Sequence, residues 1–169
     1  MYSVGSSANQ TIDGTSPNSM PVVDYVDLDR FMGDWYVIAN IPTFLEKNAT
    51  NAIESYRLND KGDIDVTFTF YKDSPIGERK EYHPKGFIYN TTTNAEWRMQ
   101  FLWPFKMPFL IIDIDDEYSY TVIGYPSRNY VWIMARKPEI PQKTYQSIIE
   151  ELEYVGYDIS RINKVPQVW

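Results

Sequence analysis

Few side chains in this sequence could carry out acid–base or metal chemistry. Its 169 residues contain one histidine, His83, and no cysteine. A site with two histidine ligands, a cysteine-based zinc centre and a thiolate nucleophile are therefore excluded. His83 follows Glu81 in a predicted strand, where we expect a surface position rather than a general base. The sequence lacks a serine elbow, a phosphate-binding glycine loop and a metal-spaced carboxylate set, so it predicts neither an enzyme nor a bound cofactor or metal.

Two carboxylates, Glu54 and Asp113, lie within predicted strands of largely apolar character. If buried, either could act as an acid or base, or could anchor the polar group of a ligand. The alternative, which the sequence favours, is that each faces water or the outside of the fold. Neither residue has a recognisable partner in the sequence.

Composition and charge narrow the class of protein. The chain is 43% hydrophobic and 16% aromatic, which favours β-strands and suffices for one domain with a sizeable core. A net charge of −7 argues against a nucleic-acid partner, because binding phosphates requires a basic face. A single acidic all-β domain is therefore predicted.

Short strands separated by turn signals follow one another from Trp35 onward, about every ten residues, as in a sandwich or a barrel of hairpins. Apolar and polar residues alternate most clearly over 64–70 and 96–101, so these strands have one buried and one wet face. The segment 109–114 is apolar on both faces, which indicates that another element covers it. The predicted strands are 35–41, 52–58, 64–71, 79–89, 96–103, 109–114, 118–124 and 130–136.

One amphipathic helix is predicted after the last strand, between Pro141 and Gly156. It is too short to form a domain, so we expect it to lie against the outside of the sheet. Its apolar positions at helical spacing are Tyr145, Ile148, Ile149, Leu152 and Val155.

Two sequence motifs carry a family resemblance. Gly33-Asp34-Trp35-Tyr36 resembles the Gly-x-Trp motif of the lipocalins, and 127–136, which ends at Arg136, is similar to their second and third motifs combined. The likeness extends over 29–167 and is strongest to the bacterial outer-membrane lipocalins, which are themselves similar to apolipoprotein D. It departs at Asn129, where the family commonly has Asp, and at Pro84, which predicts an irregular fourth strand. Further matches in the expected order are Tyr56 with Leu58, Gly62, Pro104-Phe105, the 136–138 run and Asp158-Ile159.

The resemblance implies an all-β, eight-stranded antiparallel up-and-down barrel with one C-terminal α-helix packed on its outside. In such a barrel the first strand starts at the end where the eighth finishes, so Trp35 and Arg136 should meet there. A guanidinium over an indole is worth about 1 to 2 kcal/mol when desolvated. We therefore predict that Gly33, Trp35 and Arg136 close one end and leave the other open.

Strand alternation then predicts which side chains face the interior. An eight-stranded barrel holds one small ligand where its interior is not filled by side chains. For any one of these residues, ordinary core packing is an equally good interpretation; the cavity itself is implied by the resemblance. The predicted cavity residues are Val37, Ala39, Tyr56, Phe68, Phe70, Tyr82, Trp97, Met99, Phe101, Tyr130 and Trp132.

Four loops should surround the open end, at 42–50, 72–77, 103–108 and 125–129. The third is unusually apolar for a loop, which is typical either of a contact surface or of a lid folded inward, and the sequence leaves both open. The residues predicted at the cavity mouth are Phe44, Trp103, Phe105 and Met107.

The N-terminal segment 1–22 is predicted to be a flexible tail before a single domain at 23–169, because its start is rich in Ser, Gly, Asn and Thr. The sequence contains neither an apolar run of membrane-spanning length nor a basic region followed by an apolar stretch. The resemblance implies a lipoprotein on the periplasmic side of a bacterial outer membrane. We accordingly expect a lipid anchor on a cysteine upstream of Met1, through which the domain would reach the membrane surface.

The predicted function is the binding, storage or transport of a small apolar ligand, a fatty acid or lysophospholipid, in maintenance of the cell envelope. A first alternative is a barrel enzyme that acts on a lipid-like substrate through Glu54, Asp113 or a cavity tyrosine. A second is a protein-interaction module that uses the apolar loop and an outer strand, with a homodimer as its simplest form.

Overall fold

The computed structural model describes residues 19–169, and these form a closed antiparallel β-barrel with a helix on its outer wall. The predicted fold is confirmed. The elements are α1 (Leu28–Phe31), β1 (Gly33–Ile41), β2 (Ala49–Leu58), β3 (Ile64–Lys72), β4 (Arg79–Tyr82), β5 (Lys85–Ile88), β6 (Glu96–Leu102), β7 (Phe105–Ile114), β8 (Tyr120–Gly124), β9 (Val131–Ala135), α2 (Gln142–Tyr154), a 3₁₀ turn (Ile159–Arg161) and β10 (Asn163–Lys164).

Each barrel strand pairs with its sequence neighbour, and β9 returns to pair with β1, where Tyr36 faces Ala135. The fourth strand of the wall is divided into β4 and β5, both of which pair with β3. The break falls at His83 and Pro84, as the proline predicted, since proline cannot donate a hydrogen bond to the ladder. Counting β4 and β5 together gives the eight strands, while β10 pairs with β1 beside β2.

Apolar side chains pack into two clusters on opposite faces of the wall. The inner core fills the barrel and includes Trp35, Phe70 and Trp97, which are almost fully buried. The outer core lies between the wall and α2, where Ile148 and Leu152 are buried. This explains why 109–114 carries apolar residues on both faces: Phe109 and Ile111 belong to the inner core, and Leu110 and Ile112 to the outer core.

The prediction that Ala39 points into the barrel is wrong. The pairing of β1 with β9 shifts between Val37 and Ala39, so one extra residue stands in β1. Such a β-bulge reverses the alternation of the residues beyond it. Val37 therefore belongs to the inner core, whereas Ala39 belongs to the outer core.

The strand ends differ from the predicted ones most at the apolar loop 103–108. Strand β7 begins at Phe105, not at residue 109, and Leu102 pairs with Phe105. The prediction of a six-residue loop is wrong here: a tight turn at Trp103 and Pro104 joins two long strands. The apolar residues are therefore presented on a hairpin.

The described residues before α1 run along the barrel. Val23 N donates to the carbonyl of Ile111 at 3.0 Å, and Val26 N to that of Thr93 at 2.8 Å. Met20, within the segment predicted as tail, is buried against the outer core. Residues 1–18 lie outside the described part of the chain, so the boundary at residue 22 stays a prediction. Within residues 19–169 no helix is long and apolar enough to cross a membrane.

Candidate functional site

The closed end of the barrel is built around Arg136. Its guanidinium carbon lies 3.7 Å from the ring centroid of Trp35, which confirms the predicted contact. The same group donates to four carbonyls of the 30–34 segment at 2.7 to 3.1 Å. Gly33 has a φ of +99°, and a Cβ there would lie 3.3 Å from Arg136 Nη1, so glycine fits this turn best. The predicted closure by Gly33, Trp35 and Arg136 is thus present.

An aromatic layer lies inside this closure. Helix α1, capped by Asp27, places Phe31 in the barrel, with ring centroids 5.2 Å from Trp35 and Trp97 and 5.4 Å from Tyr56. These rings pack against one another next to the closed end of the barrel. Four predicted cavity residues belong to the inner core and do not line the cavity itself; they are Val37, Tyr56, Phe70 and Trp97. Phe70 packs against Phe68 and Tyr82 instead.

Above the aromatic layer lies a cavity of about 240 Å³ that opens at the other end of the barrel. Its walls are apolar apart from a few polar groups. Six of the predicted cavity residues line it: Phe68, Tyr82, Met99, Phe101, Tyr130 and Trp132. The other lining residues are Thr43, Phe44, Leu45, Glu46, Glu54, Val66, Pro84, Leu102, Phe105, Met107, Pro108 and Phe109.

Large apolar side chains surround the mouth and face outward. Phe44 is 86% exposed, Trp103 84% and Phe105 74%. Phe44, Phe105 and Met107 also line the cavity, as predicted for the mouth, whereas Trp103 is absent from the lining. We refer to Phe44, Leu102, Trp103 and Phe105 as the apolar rim.

A groove beside the mouth carries three lysines. Lys47, Lys72 and Lys80 line it, and it shares Phe44 and Tyr82 with the cavity. Lys80 forms an ion pair with Glu78 at 2.7 Å. The sequence does not reveal this lysine groove, because its members come from a loop and two strands that only the fold brings together.

Two buried carboxylates, Glu46 and Glu54, line the cavity. Glu54 pairs in register with Trp35 and Phe68, so it faces inward. The favoured expectation that Glu54 faces water is therefore wrong. One signal in the sequence indicated this orientation. Glu54 lies two residues before Tyr56, which was predicted to point inward, and residues two apart in a strand share a face.

Glu46 was not anticipated, because it belongs to the loop after β1 and loops have no alternation that reveals burial. The loop folds the carboxylate into the mouth, where three donors bind it. Trp132 Nε1 donates to Oε1 at 2.8 Å, and the hydroxyl and backbone N–H of Thr43 donate to Oε2 at 2.8 and 3.1 Å. These bonds satisfy the buried carboxylate within the protein.

Burial governs the protonation of both carboxyl groups. It raises the pKa of Glu54 to about 7; the hydroxyl of Tyr56, which donates to this carboxylate, lowers the pKa, and the charge of Glu46 raises it. Burial likewise raises the pKa of Glu46, although its hydrogen bonds from Trp132 and Thr43 oppose the shift. Near neutral pH, Glu54 is thus divided between its acid and its carboxylate form.

The other candidates for chemistry lie away from the cavity. Asp113 pairs with Val122 of the outer core and lies in a groove against α2, so the expectation that it faces the exterior is confirmed. His83 is exposed, with Nε2 3.0 Å from Glu81 Oε1. Neither residue reaches the cavity lining.

A closed antiparallel barrel with one apolar cavity open at one end is the architecture of proteins that hold a single small ligand. The chain belongs to the lipocalin family, because residues 26–167 match the family model described as a lipocalin-like domain. Lipocalins bind small hydrophobic ligands and are generally binding or transport proteins. The resemblance inferred from the motifs is confirmed.

Relatives are similar along almost their whole length. Temperature-induced lipocalin-1 of Arabidopsis thaliana is 31% identical over 90% of this chain and 86% of its own. The outer membrane lipoprotein Blc of Vibrio cholerae is 28% identical over 89% and 88%. Apolipoprotein D of Mus musculus is 30% identical over 88% and 81%.

Solved structures support the fold independently of sequence. Insecticyanin from the tobacco hornworm Manduca sexta superposes with a TM-score of 0.69 over 90% of this chain and 86% of its own. The two sequences are only 20% identical. The likeness therefore concerns the barrel and not the ligand.

Proposed function

We propose that this lipocalin binds and carries a fatty acid or a lysophospholipid, with the acyl chain in the cavity and the anionic head at the lysine groove. The observation that carries the proposal is an apolar cavity that opens directly beside three lysines. Each buried methylene contributes about 0.8 kcal/mol, so the chain supplies most of the affinity. The head group then sets the orientation.

The size of the cavity favours a slender ligand. Its volume of about 240 Å³ exceeds the ~150 Å³ of an apolar cavity that admits benzene, and is below the ~300 Å³ at which pockets for drug-sized molecules begin. A single acyl chain fits this range better than a rigid polycyclic molecule.

The charges in the barrel favour one direction of entry. In their ionised forms, Glu46 and Glu54 would repel an anionic head that entered the cavity, since like charges are unfavourable in a medium of low dielectric constant. Lys47, Lys72 and Lys80 attract the same head outside. We therefore propose that the acyl chain enters methyl end first.

The apolar rim supports a role in loading the ligand from a surface. Exposed apolar groups of this size are typical of contact sites. Because relatives such as the Vibrio cholerae lipoprotein carry an outer-membrane name, we propose the periplasmic side of a bacterial outer membrane as the location. A lipid anchor would hold the domain there, and its role would be maintenance of the envelope.

Native mass spectrometry of the purified protein, followed by titration with fatty acids and lysophospholipids, tests the proposal. Trp132 lines the cavity, so its fluorescence should change on binding. We expect Lys47→Glu and Lys72→Glu each to weaken fatty-acid binding about twofold to fivefold, as for exposed charges, and to leave an alkanol of equal length unaffected. Lys137→Glu, at the closed end, is the matched control.

Two outcomes would contradict the proposal. A silent titration across all chain lengths, together with concentration-dependent dimerisation through the apolar rim, would favour an interaction module. Conversion of a bound lipid that is lost in Glu54→Gln would favour the enzyme alternative. The proposed function is binding without turnover.

A further inference from the structure

The two cavity carboxylates differ in whether an oxygen remains free to accept a further hydrogen bond. Glu46 accepts from Trp132 and twice from Thr43, so both of its oxygens are engaged. Glu54 accepts one hydrogen bond, from the Tyr56 hydroxyl, and this bond engages Oε2. Only Glu54 therefore keeps an oxygen, Oε1, with no donor from residues 19–169.

The free oxygen must open on the cavity. Glu54 is 8% exposed and lines the cavity wall. Among the described residues, no buried side-chain nitrogen or oxygen that is sealed from solvent lacks a hydrogen-bond partner. Because Oε1 has no partner, it is not sealed, and the space it faces is the cavity. A strong acceptor thus points into an apolar chamber.

Within residues 19–169, no cation compensates this acceptor. None of the described residues that line the cavity is Lys, Arg or His. Arg136 is engaged with Trp35 and with backbone carbonyls at the closed end. Buried carboxylates are usually paired or fully hydrogen-bonded, so Glu54 Oε1 is available to accept a hydrogen bond from a donor in the cavity.

We propose that Glu54 determines specificity by accepting a hydrogen bond from a hydroxyl or ammonium group at the inner end of the ligand's chain. This inference rests on the proposed function, and it adds a second recognition point to the anionic head. A site built to bind a donor rejects the analogue that lacks it more strongly than an apolar wall could. The ligand class is therefore an acyl chain with a donor far from its head.

A matched series of fatty acids tests the inference. Dodecanoic, 12-hydroxydodecanoic and 12-aminododecanoic acids differ only at the inner end, and the series is repeated from eight to sixteen carbons to match the depth of the cavity. At the best length we expect a donor-bearing acid to bind about tenfold to a hundredfold more tightly than the plain acid.

Variants assign that preference to Glu54. Glu54→Leu should remove it and make the plain acid the better ligand, because a buried donor is then unpaired. Glu54→Gln keeps an acceptor oxygen without the charge, so it should retain the preference for a hydroxyl and lose that for an ammonium. Asp113→Asn, a carboxamide on the outer wall, should leave both unchanged. Thermal melts report whether each variant is folded.

The outcomes separate the two proposals. Plain acids that bind as tightly as donor-bearing acids at every length would overturn the role of Glu54 and leave the proposed function intact. Binding of dodecanol or dodecylamine without binding of any acid would overturn the anionic head and support Glu54. If none of these molecules binds, both proposals are overturned.

Discussion

The closed end of the barrel and the cavity beside it each hold a buried charged group, and the two groups are stabilised in opposite ways. At the closed end, the guanidinium of Arg136 donates to four backbone carbonyls and lies over Trp35. Deep in the cavity, Glu54 is bound by a single hydroxyl and faces the apolar space. The protein's own carbonyls accept the hydrogen bonds of Arg136, whereas one oxygen of Glu54 accepts no hydrogen bond from the described residues.

The difference indicates that residues at the closed end contribute mainly to stability, whereas residues around the cavity and its mouth contribute mainly to binding. The aromatic layer around Phe31 is packed without space, whereas the apolar rim leaves Phe44, Trp103 and Phe105 in water. Close packing and satisfied polar groups stabilise a fold, while exposed apolar groups and unsatisfied acceptors are features of binding sites. We expect substitutions at the two ends to differ accordingly.

The largest effect is expected at the closed end, for Trp35→Ala. Trp35 is fully buried, donates from Nε1 to the carbonyl of Phe31 at 2.9 Å and lies under Arg136. Its loss should lower the free energy of unfolding by about 3–5 kcal/mol, as for other large side chains removed from a core. Urea denaturation followed by circular dichroism measures the change. A loss below about 1 kcal/mol would show that this end does not carry the stability.

An intermediate effect of opposite sign is expected for Glu54→Gln. The folded protein holds a proton on Glu54 up to a pH of about 7, whereas a glutamate in water releases its proton near pH 4.5, so the folded state binds more protons between these values. Its free energy of unfolding should therefore fall as the pH rises from 5 to 8, by up to about 3 kcal/mol from this group. The variant should lack this part of the slope, and should be more stable than the original at pH 8.

Denaturation at several pH values measures that slope. Glu46, whose pKa is also raised, should contribute a slope of the same sign, which remains in the variant. Glu78→Gln is the control, because this exposed carboxylate has a lowered pKa and cannot produce a loss of stability above pH 5. Equal slopes for the original and Glu54→Gln would contradict the inward, uncompensated placement of this group.

The smallest effect is expected for Trp103→Ala, the counterpart of Trp35→Ala at the open end. Trp103 is 84% exposed and does not line the cavity, so the free energy of unfolding should change by no more than about 0.5 kcal/mol. The same removal of an indole would then differ severalfold between the two ends. A large destabilisation would indicate that the rim packs inward as a lid.

The sequence predicted the barrel and its closed end well, because both depend on local signals. Strand alternation and turn residues mark the wall, and the spacing of Trp35 and Arg136 places them together once the strands are counted. Pro84 also predicted the break between β4 and β5. Each of these signals lies within one segment of the sequence or in the order of the strands along the chain.

The site was predicted less completely, because the cavity lining depends on how far along the barrel a residue lies and on the course of the loops at the mouth. Alternation tells which face a side chain occupies, but not how far along the barrel it lies, so Tyr56 and Trp97 could not be told from the true lining residues. The bulge that turned Ala39 outward has no compositional signal here. Glu46 enters the cavity through a loop whose course the sequence does not specify.

Closure of the barrel also bears on how the chain folds. The last strand of the wall, β9, pairs with the first, β1, whereas the other pairs in the wall join strands that follow one another in sequence once β4 and β5 are counted as one strand. Contacts between distant parts of a chain form slowly, since a long loop must close before they contribute. During synthesis β1 emerges before β9, so one edge of β1 stays unpaired until β9 has been made. We therefore expect this edge to be the site where the folding chain most readily pairs with another strand and aggregates.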